Sequence, residues 1–225
     1  MRRIVAPALV AFALAAAAQV PPSPAEIAAY RGLHAAAAHG DVGAIERLAA
    51  GAAAIDGRDG NGRTALHVAT FARQRGAART LLRAGADPAA LDDDRYDAVT
   101  IAAVADDEET LALLLATGAS AKLVTSRYDG TALIAAAHLG HDGVVRQLIA
   151  AGAPLDHVNN LHWTALIEAI VLGDGGPRHQ ATLAALLGAG ASTSLADRAG
   201  RTPLRLARER GHEAMVRMLE AAGAR

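Results

Sequence analysis

The sequence contains no cysteine among its 225 residues, and very few of its residues are aromatic. Without cysteine there can be no disulfide, no thiol nucleophile and no thiolate ligand for a metal ion. Only 3% of the residues are aromatic although 52% are hydrophobic, so alanine, leucine, valine and isoleucine must form the core. Such a core suits short helices that pack closely together.

The sequence also lacks an excess of either charge sign and the common catalytic motifs. Its 22 basic and 23 acidic residues nearly balance, whereas proteins that hold nucleic acid or an anionic membrane need a basic surface. Neither a Gly-x-Ser-x-Gly nor a His-Glu-x-x-His motif is present. We therefore expect no nucleic-acid partner, no catalytic residues, no metal site and no cofactor.

The first residues have the layout of a secretory signal. Two arginines precede an apolar run, residues 4–18, that ends in small residues. Ala16 and Ala18 satisfy the small-x-small cleavage rule, which predicts a signal peptide over 1–18, cleavage to leave Gln19, and a periplasmic protein. A retained anchor is the alternative, although the run is shorter than the about 20 residues that span a bilayer. We expect no stable membrane insertion after cleavage.

A short proline-rich segment follows, residues 19–27, with the sequence QVPPSPAEI. Closely spaced prolines oppose helix continuation and favour extended geometry in the residues before them. The sequence therefore predicts a spacer here, with the folded part beginning near Ala25.

The remaining sequence repeats itself. Aligned copies begin at Thr64, Asp97, Thr131, Thr164 and Thr202, which lie 33, 34, 33 and 38 residues apart. A weaker copy has Arg31 at the same position, 33 residues before the first of these. Each of the five later copies ends in a pattern close to Leu-Leu-x-x-Gly-Ala. A fixed period of this length indicates a stacked repeat architecture.

This period, with an opening close to Thr-Pro-Leu-His, resembles the ankyrin repeat, and in particular exported bacterial ankyrin-repeat proteins. The resemblance implies an all-α ankyrin-repeat solenoid of about six helix-turn-helix repeats with short β-hairpin turns, covering 28–225. Its repeats would span about 28–58, 59–91, 92–125, 126–158, 159–196 and 197–225. It also implies non-enzymatic protein-protein interaction through the turns and the concave first-helix face.

The residues explain the pattern physically. A threonine at a helix start can accept a hydrogen bond from an unpaired backbone N–H group, as we expect for Thr64 and its equivalents. A glycine follows each second helix, where a left-handed residue ends the helix. These glycines are Gly85, Gly118, Gly152, Gly190 and Gly223. The alanine-rich first copy and the arginine-rich last copy are predicted to close the two ends.

The third copy departs most from the pattern. Its turn reads DDDRYD, and the acidic run DDEE from Asp106 is expected between its helices. In one interpretation Asp92 fills the turn position that Asp59 and Asp197 also hold, and the other acids are merely solvated. In the other, these acids form a surface for a basic partner.

The fifth copy is five residues longer than the usual 33, and the extra residues fall within LGDGGPRHQ, which follows Val171. A tolerated loop insertion, which costs little free energy, is one interpretation. A ledge that contacts a partner is the other, because loops on a rigid scaffold collect binding residues.

Large side chains at the turns and on the first helices are the predicted partner-binding residues. They are Phe71, Arg95, Tyr96, Val104, Tyr128, Leu139, Trp163 and Leu172. Packing along the hairpins or between first helices is the structural alternative for all of them. His34 and His67, at the fourth position of the opening, are expected to hydrogen-bond to backbone in the adjacent turn.

The function predicted from these residues is protein recognition in the periplasm, with a monomeric chain binding and modulating a protein whose identity the sequence does not reveal. A small-ligand-binding protein or cryptic enzyme using the Glu168 and His138 region is the first alternative. A purely structural, self-associating module is the second.

Overall fold

A computed structural model describes residues 19–51 and 53–225, and the predicted signal peptide lies outside these residues. In the described part there are thirteen helices and one two-stranded antiparallel sheet. The helices are α1 (Pro24–Ala29), α2 (Gly32–His39), α3 (Val42–Ala50), α4 (Ala65–Phe71), α5 (Arg75–Arg83), α6 (Ala98–Val104), α7 (Glu108–Ala116), α8 (Ala132–Leu139), α9 (Asp142–Ala150), α10 (Ala165–Val171), α11 (Pro177–Gly188), α12 (Pro203–Arg210) and α13 (Glu213–Ala221). The strands are β1 (Val124–Thr125) and β2 (Gly130–Thr131).

Six helix pairs follow one another from α2 to α13. In each pair the two helices pack together, and the first helix of each pair also packs on the first helix of the next pair. The second helices form a parallel row of their own. This is a two-layer solenoid in which each repeat buries its apolar face on its neighbours, as the sequence predicts.

Leucine, isoleucine and alanine fill the space between the layers. Leu66, Val99, Leu133 and Leu166, one from each of four consecutive first helices, are at most 1% exposed. Burying such a side chain contributes about 2 kcal/mol, so stability is spread over many similar interfaces. Small alanines between them let the helices approach closely.

The predicted helix caps are present. The hydroxyl of Thr64 accepts a hydrogen bond from the His67 N–H group at the start of α4, and Thr131, Thr164 and Thr202 act in the same way at α8, α10 and α12. Asp97 replaces threonine in the third copy and accepts from Thr100 at 2.8 Å. At the ends of second helices, Gly85 and Gly152 have φ angles of 93° and 78°, where a side chain would be strained.

Helix α1 begins at Pro24, so the last four residues of the predicted spacer are helical, and the folded part begins close to the predicted Ala25. Ser23 accepts a hydrogen bond from the Glu26 N–H group, and the Glu26 carboxylate accepts one from the Ser23 N–H group at 2.8 Å. This capping box starts a helix, and proline fits its first turn because the proline lacks an N–H group that would otherwise be unpaired.

Helix α1 is fixed to the second repeat. The Glu26 carboxylate forms an ion pair with the buried guanidinium of Arg63 and accepts a hydrogen bond from the Asn61 amide at 2.7 Å. The Tyr30 hydroxyl donates to Asp59 at 2.6 Å. The N-terminal segment is therefore part of the folded structure rather than a free tether.

The acidic run of the third copy lies only partly between helices. Asp107 is buried, caps α7 by accepting from Thr110, and lies 3.0 Å from Arg75. Glu108 and Glu109 form the first turn of α7, where acidic residues complement the helix dipole. The acidic run therefore forms the N-terminal end of α7.

The insertion of the fifth copy lengthens a helix as well as a loop. Helix α11 has twelve residues where most second helices have nine. His179 of α11 links the segment before this helix, 172–176, to the fourth repeat. Its Nδ1 lies 2.8 Å from the Asp174 carboxylate, and its Nε2 lies 2.9 Å from the His138 carbonyl oxygen. The inserted residues are therefore packed against a neighbour.

Candidate functional site

The hairpin turns share one device that fixes their shape. The Asp92 carboxylate accepts hydrogen bonds from the N–H groups of Asp94 and Tyr96, at 3.0 and 2.8 Å. Asp59 and Asp197 make the same two bonds in their own turns. The structural interpretation of Asp92 is confirmed, and burial raises the pKa of its carboxyl group.

Backbone hydrogen bonds join neighbouring turns into one ledge. The Asp93 N–H group donates to Asn61 at 3.1 Å, and the Ser126 N–H group donates to Arg95 at 2.8 Å. The Asn160 N–H group donates to Tyr128 at 2.9 Å, so the turns of the second to fifth repeats are continuous. A ledge of this kind presents its side chains in fixed positions.

Three neighbouring turns carry a side chain at a left-handed position. Arg95, Asp129 and His162 have φ angles of 66°, 52° and 62°, whereas Gly62 and Gly200 fill this position in the second and sixth repeats. A non-glycine residue there costs about 1 kcal/mol or more. The third, fourth and fifth repeats accept this cost, and the same three repeats surround a pocket.

The pocket lies where the turns meet the first helices of these repeats and has a volume of about 180 Å³. Its walls are apolar on the helix side and carry tyrosine and hydroxyl groups on the turn side. The apolar lining residues are Val104, Ile134, Ala135, Leu139, Leu161 and Leu172. Tyr96 and Tyr128 line it from the turns, Thr125 and Thr131 from the two strands, and Thr100 from α6.

One corner of the pocket is polar. Glu168, in the first turn of α10, has a side chain that is only 6% exposed. Its Oε1 accepts a hydrogen bond from the Asn159 amide at 3.0 Å, and its Oε2 lies 3.4 Å from His138 Nδ1. Asn159 belongs to the turn of the same repeat, and His138 lies at the end of α8 in the preceding one.

Five of the eight predicted partner-binding residues line this pocket: Tyr96, Val104, Tyr128, Leu139 and Leu172. The structure therefore brings together residues from two first helices, two turns and the insertion. Leu139 is 37% exposed at the end of α8, which is unusual for a large apolar side chain in this protein.

The other three predicted residues lie elsewhere. Trp163 packs against the hydrophobic core along its hairpin, and Phe71 is partly buried at the end of α4. Arg95 is half exposed and lies 3.3 Å from Asp129 on the outside of the ledge. Trp163 thus makes the core contact that the packing alternative expects.

The concave positions divide into two sets. Val68, Ile101 and Val171 are buried between neighbouring first helices. Val104 and Leu139, at the ends of their helices, face the pocket. Asn159, Leu161 and Gln19 also line the pocket, but no repeating pattern in the sequence distinguishes them.

Most acids of the third copy have partners within the chain. Asp94 pairs with Arg127, Asp106 lies 2.7 Å from Arg178, and Asp107 pairs with Arg75. Burial raises the pKa of Asp107, but hydrogen bonds from Thr110 and Arg75 outweigh burial and hold this pKa below its ordinary value. These contacts favour the structural interpretation for Asp94, Asp106 and Asp107, whereas Asp93, Glu108 and Glu109 are exposed.

The histidines of the repeat opening are structural. His67 Nδ1 accepts from the Thr64 N–H group at 3.0 Å, so its Nε2 carries the hydrogen and donates to the Ala90 and Tyr96 carbonyl groups. His34 lies 2.9 Å from the Arg63 carbonyl oxygen in the same way. Burial lowers the pKa of His67 to about 4.

The described residues contain neither a cluster of metal-ligating side chains nor a membrane-spanning helix. Within 19–51 and 53–225 no three histidine, aspartate or glutamate side chains are grouped as metal ligands would be. In the same part of the chain no helix has both the length and the apolar character that crossing a membrane requires.

The known proteins that this chain resembles are repeat proteins of the same kind. Residues 23–92 and 99–197 match the family model described as ankyrin repeats (3 copies). The ankyrin repeat protein YahD of Escherichia coli (strain K12) is 37% identical over 190 residues, 84% of this chain and 94% of YahD.

Solved structures are similar throughout the repeats. A crystallised ankyrin repeat domain from Acinetobacter baumannii AYE shares 47% identity at a TM-score of 0.81, covering 86% of this chain and 98% of its own. The ankyrin repeat protein EF0377 shares 30% identity at a TM-score of 0.79, covering 85% and 98%. Ankyrin repeats are protein-protein interaction modules and are generally not enzymes. This chain belongs to the ankyrin repeat family.

Proposed function

We propose that this chain is a non-enzymatic module of the bacterial periplasm that binds and modulates a partner protein through the pocket of its third to fifth repeats. The observation that carries the proposal is the pocket itself. It combines an exposed Leu139 and other apolar side chains with tyrosines on turns that hydrogen bonds hold in place.

Rigid presentation supports binding because little conformational entropy is lost when the partner arrives. Each turn is closed by side-chain and backbone hydrogen bonds, and the first helices are fixed by buried leucines. Apolar and tyrosine side chains that converge in a depression are the usual anchors of a protein interface. The strained turn positions lie in the same three repeats, where strain is most often retained for function.

The periplasmic part of the proposal rests on the sequence of residues 1–18, which has the layout of a cleaved secretory signal. A rigid, cysteine-free repeat domain would be independent of the disulfide chemistry of that compartment.

The test is a pull-down from periplasmic extract with two matched surface variants. Leu139→Asp changes a 37% exposed residue of the pocket, and Val158→Asp changes a 40% exposed residue outside it. We expect the wild type and Val158→Asp to capture the same protein and Leu139→Asp to lose it, with unchanged circular dichroism for all three. Equal capture by both variants would place the interface elsewhere.

A small-ligand-binding function is the second candidate, because Glu168 and His138 do come together at the pocket corner. Native mass spectrometry of protein purified from its host would detect a retained small molecule. Protein that retains no small molecule but captures a partner protein would support the protein-binding function.

A further inference from the structure

The pocket contains one carboxylate and, among the described residues that line it, no arginine or lysine. A carboxylate withdrawn from water is stabilised when hydrogen bonds or a cation replace its lost hydration. At Glu168 the Asn159 amide provides one hydrogen bond, and the His138 imidazole lies 3.4 Å away. Among the described residues, no arginine or lysine forms an ion pair with this carboxylate.

The charged side chains on the outside of the neighbouring turns pair with one another and do not line the pocket. Arg95 lies 3.3 Å from Asp129, and Arg127 pairs with Asp94. Glu168 is the one acidic side chain among the described residues that line the pocket, and a carboxylate favours a positively charged guest.

The walls and the volume limit the shape of the guest. A cavity of about 150 Å³ can hold a benzene molecule, so about 180 Å³ can hold one long side chain but no folded element. Leu139, Leu161 and Leu172 would contact an apolar stem, which a bare metal ion does not have. The guest that fits both features carries a positive charge at the end of a hydrocarbon chain.

We infer that the pocket receives a lysine side chain of the partner protein, with its ammonium group at Glu168 Oε2 and its methylene groups against Leu139 and Leu172. Arginine fits less well, because its guanidinium favours two carboxylate oxygens at once and Asn159 already donates to Oε1. This inference rests on the proposed function and names the chemistry by which the partner is recognised.

The experiment compares side-chain analogues as probes by NMR, following the methyl groups of Leu139 and Leu172. The probes are n-butylammonium for lysine, n-propylguanidinium for arginine and neutral pentanamide. We expect the wild type to bind n-butylammonium about tenfold more tightly than pentanamide, the usual order for a charge-assisted hydrogen bond. Equal affinities for these two probes, or tighter binding of n-propylguanidinium, would overturn the inference.

Two variants locate the charge that is responsible. Glu168→Gln keeps the shape of the side chain and should remove the preference for n-butylammonium, whereas Glu46→Gln, exposed on α3, should keep it. A preference that survives in Glu168→Gln contradicts the inference. If Glu168→Gln fails to fold, Leu139→Trp replaces it, since a tryptophan at the mouth should exclude all three probes.

The outcome separates this inference from the proposed function. A protein captured through Leu139 without any ammonium preference in the pocket would contradict the lysine assignment alone. Absence of any captured protein, with the wild type folded, would contradict the proposed function.

Discussion

The guanidinium of Arg178 lies 2.7 Å from the carboxylate of Asp106, 72 residues earlier in the chain. Arg178 is at the start of α11 in the fifth repeat, and Asp106 lies between the helices of the third, so the contact spans the fourth repeat. Contacts in repeat proteins normally reach only the next repeat. The inserted residues of the fifth repeat therefore join the three repeats that surround the pocket.

Replacing Asp107 tests the structural interpretation of the acidic run. Asp107→Ala removes both the cap of α7 and the buried partner of Arg75, so we expect the free energy of unfolding to fall by about 2 to 3 kcal/mol. Asp41→Ala removes a similar cap from α3 at an exposed site and should cost about 1 kcal/mol. Urea denaturation measures both, and equal losses would contradict a buried role for Asp107.

His67 should make stability depend on pH. Its pKa is lowered from 6.5 to about 4 by burial, so the unfolded chain binds the proton more readily and acid favours unfolding. Its contribution to the free energy of unfolding is fully present above about pH 6.5 and is lost as the pH falls toward 4. The loss reaches about 2 kcal/mol at pH 5. Urea denaturation at pH 7.5 and pH 5 measures the loss.

The matched variant for that measurement is His67→Gln, since glutamine does not titrate. Burial raises the pKa of Asp92 and Asp97, so these two groups favour the folded state as the pH falls. Their effect is the same in both proteins and cancels in the comparison. A wild type and a variant with the same pH dependence would show that His67 is not the responsible group.

The strained turns predict an unusual gain in stability. His162→Gly should raise the free energy of unfolding by about 0.5 to 1 kcal/mol, because glycine relieves the left-handed strain at a φ of 62°. The reverse change, Gly200→Ala, should lower it by about 1 kcal/mol at the equivalent position of the sixth repeat. Thermal unfolding gives the order, and a destabilised His162→Gly would mean that the His162 side chain contributes more than the strain costs.

The signal predicted for residues 1–18 gives a direct mass prediction. Protein recovered from the periplasm of its host should begin at Gln19, or carry the loss of ammonia typical of a cyclised N-terminal glutamine. Mass spectrometry of the intact protein and of its N-terminal peptide decides this. An intact Met1 in the membrane fraction would instead indicate a retained anchor.

The repeat units could be predicted from the sequence because their signals are local. Thr64 and Gly85 act within one helical turn of their own positions, so their spacing reveals the helices directly. Helix α1 has a local signal too, the Ser23 to Glu26 capping box, but the neighbouring prolines favoured a spacer. Local signals of this kind are therefore sufficient to predict the helices of the repeats and also α1.

The pocket could be predicted only in part. Val104, Leu139 and Leu172 were identifiable as concave residues, but whether such a residue is buried or exposed depends on how closely the next first helix packs. The pairing of Glu168 with Asn159 and the contact of Arg178 with Asp106 join residues from different elements. Neither has a repeating pattern in the sequence.

The central claim, that the pocket of the third to fifth repeats binds a protein, is tested most directly by photo-crosslinking in living cells. A photoreactive amino acid at Leu139 reports on the pocket, and one at Arg146, on the second helix of the same repeat and 59% exposed, is the matched control. We predict a crosslinked protein from position 139 that is absent from position 146. The same product from both positions, or a product from position 146 alone, would contradict the account.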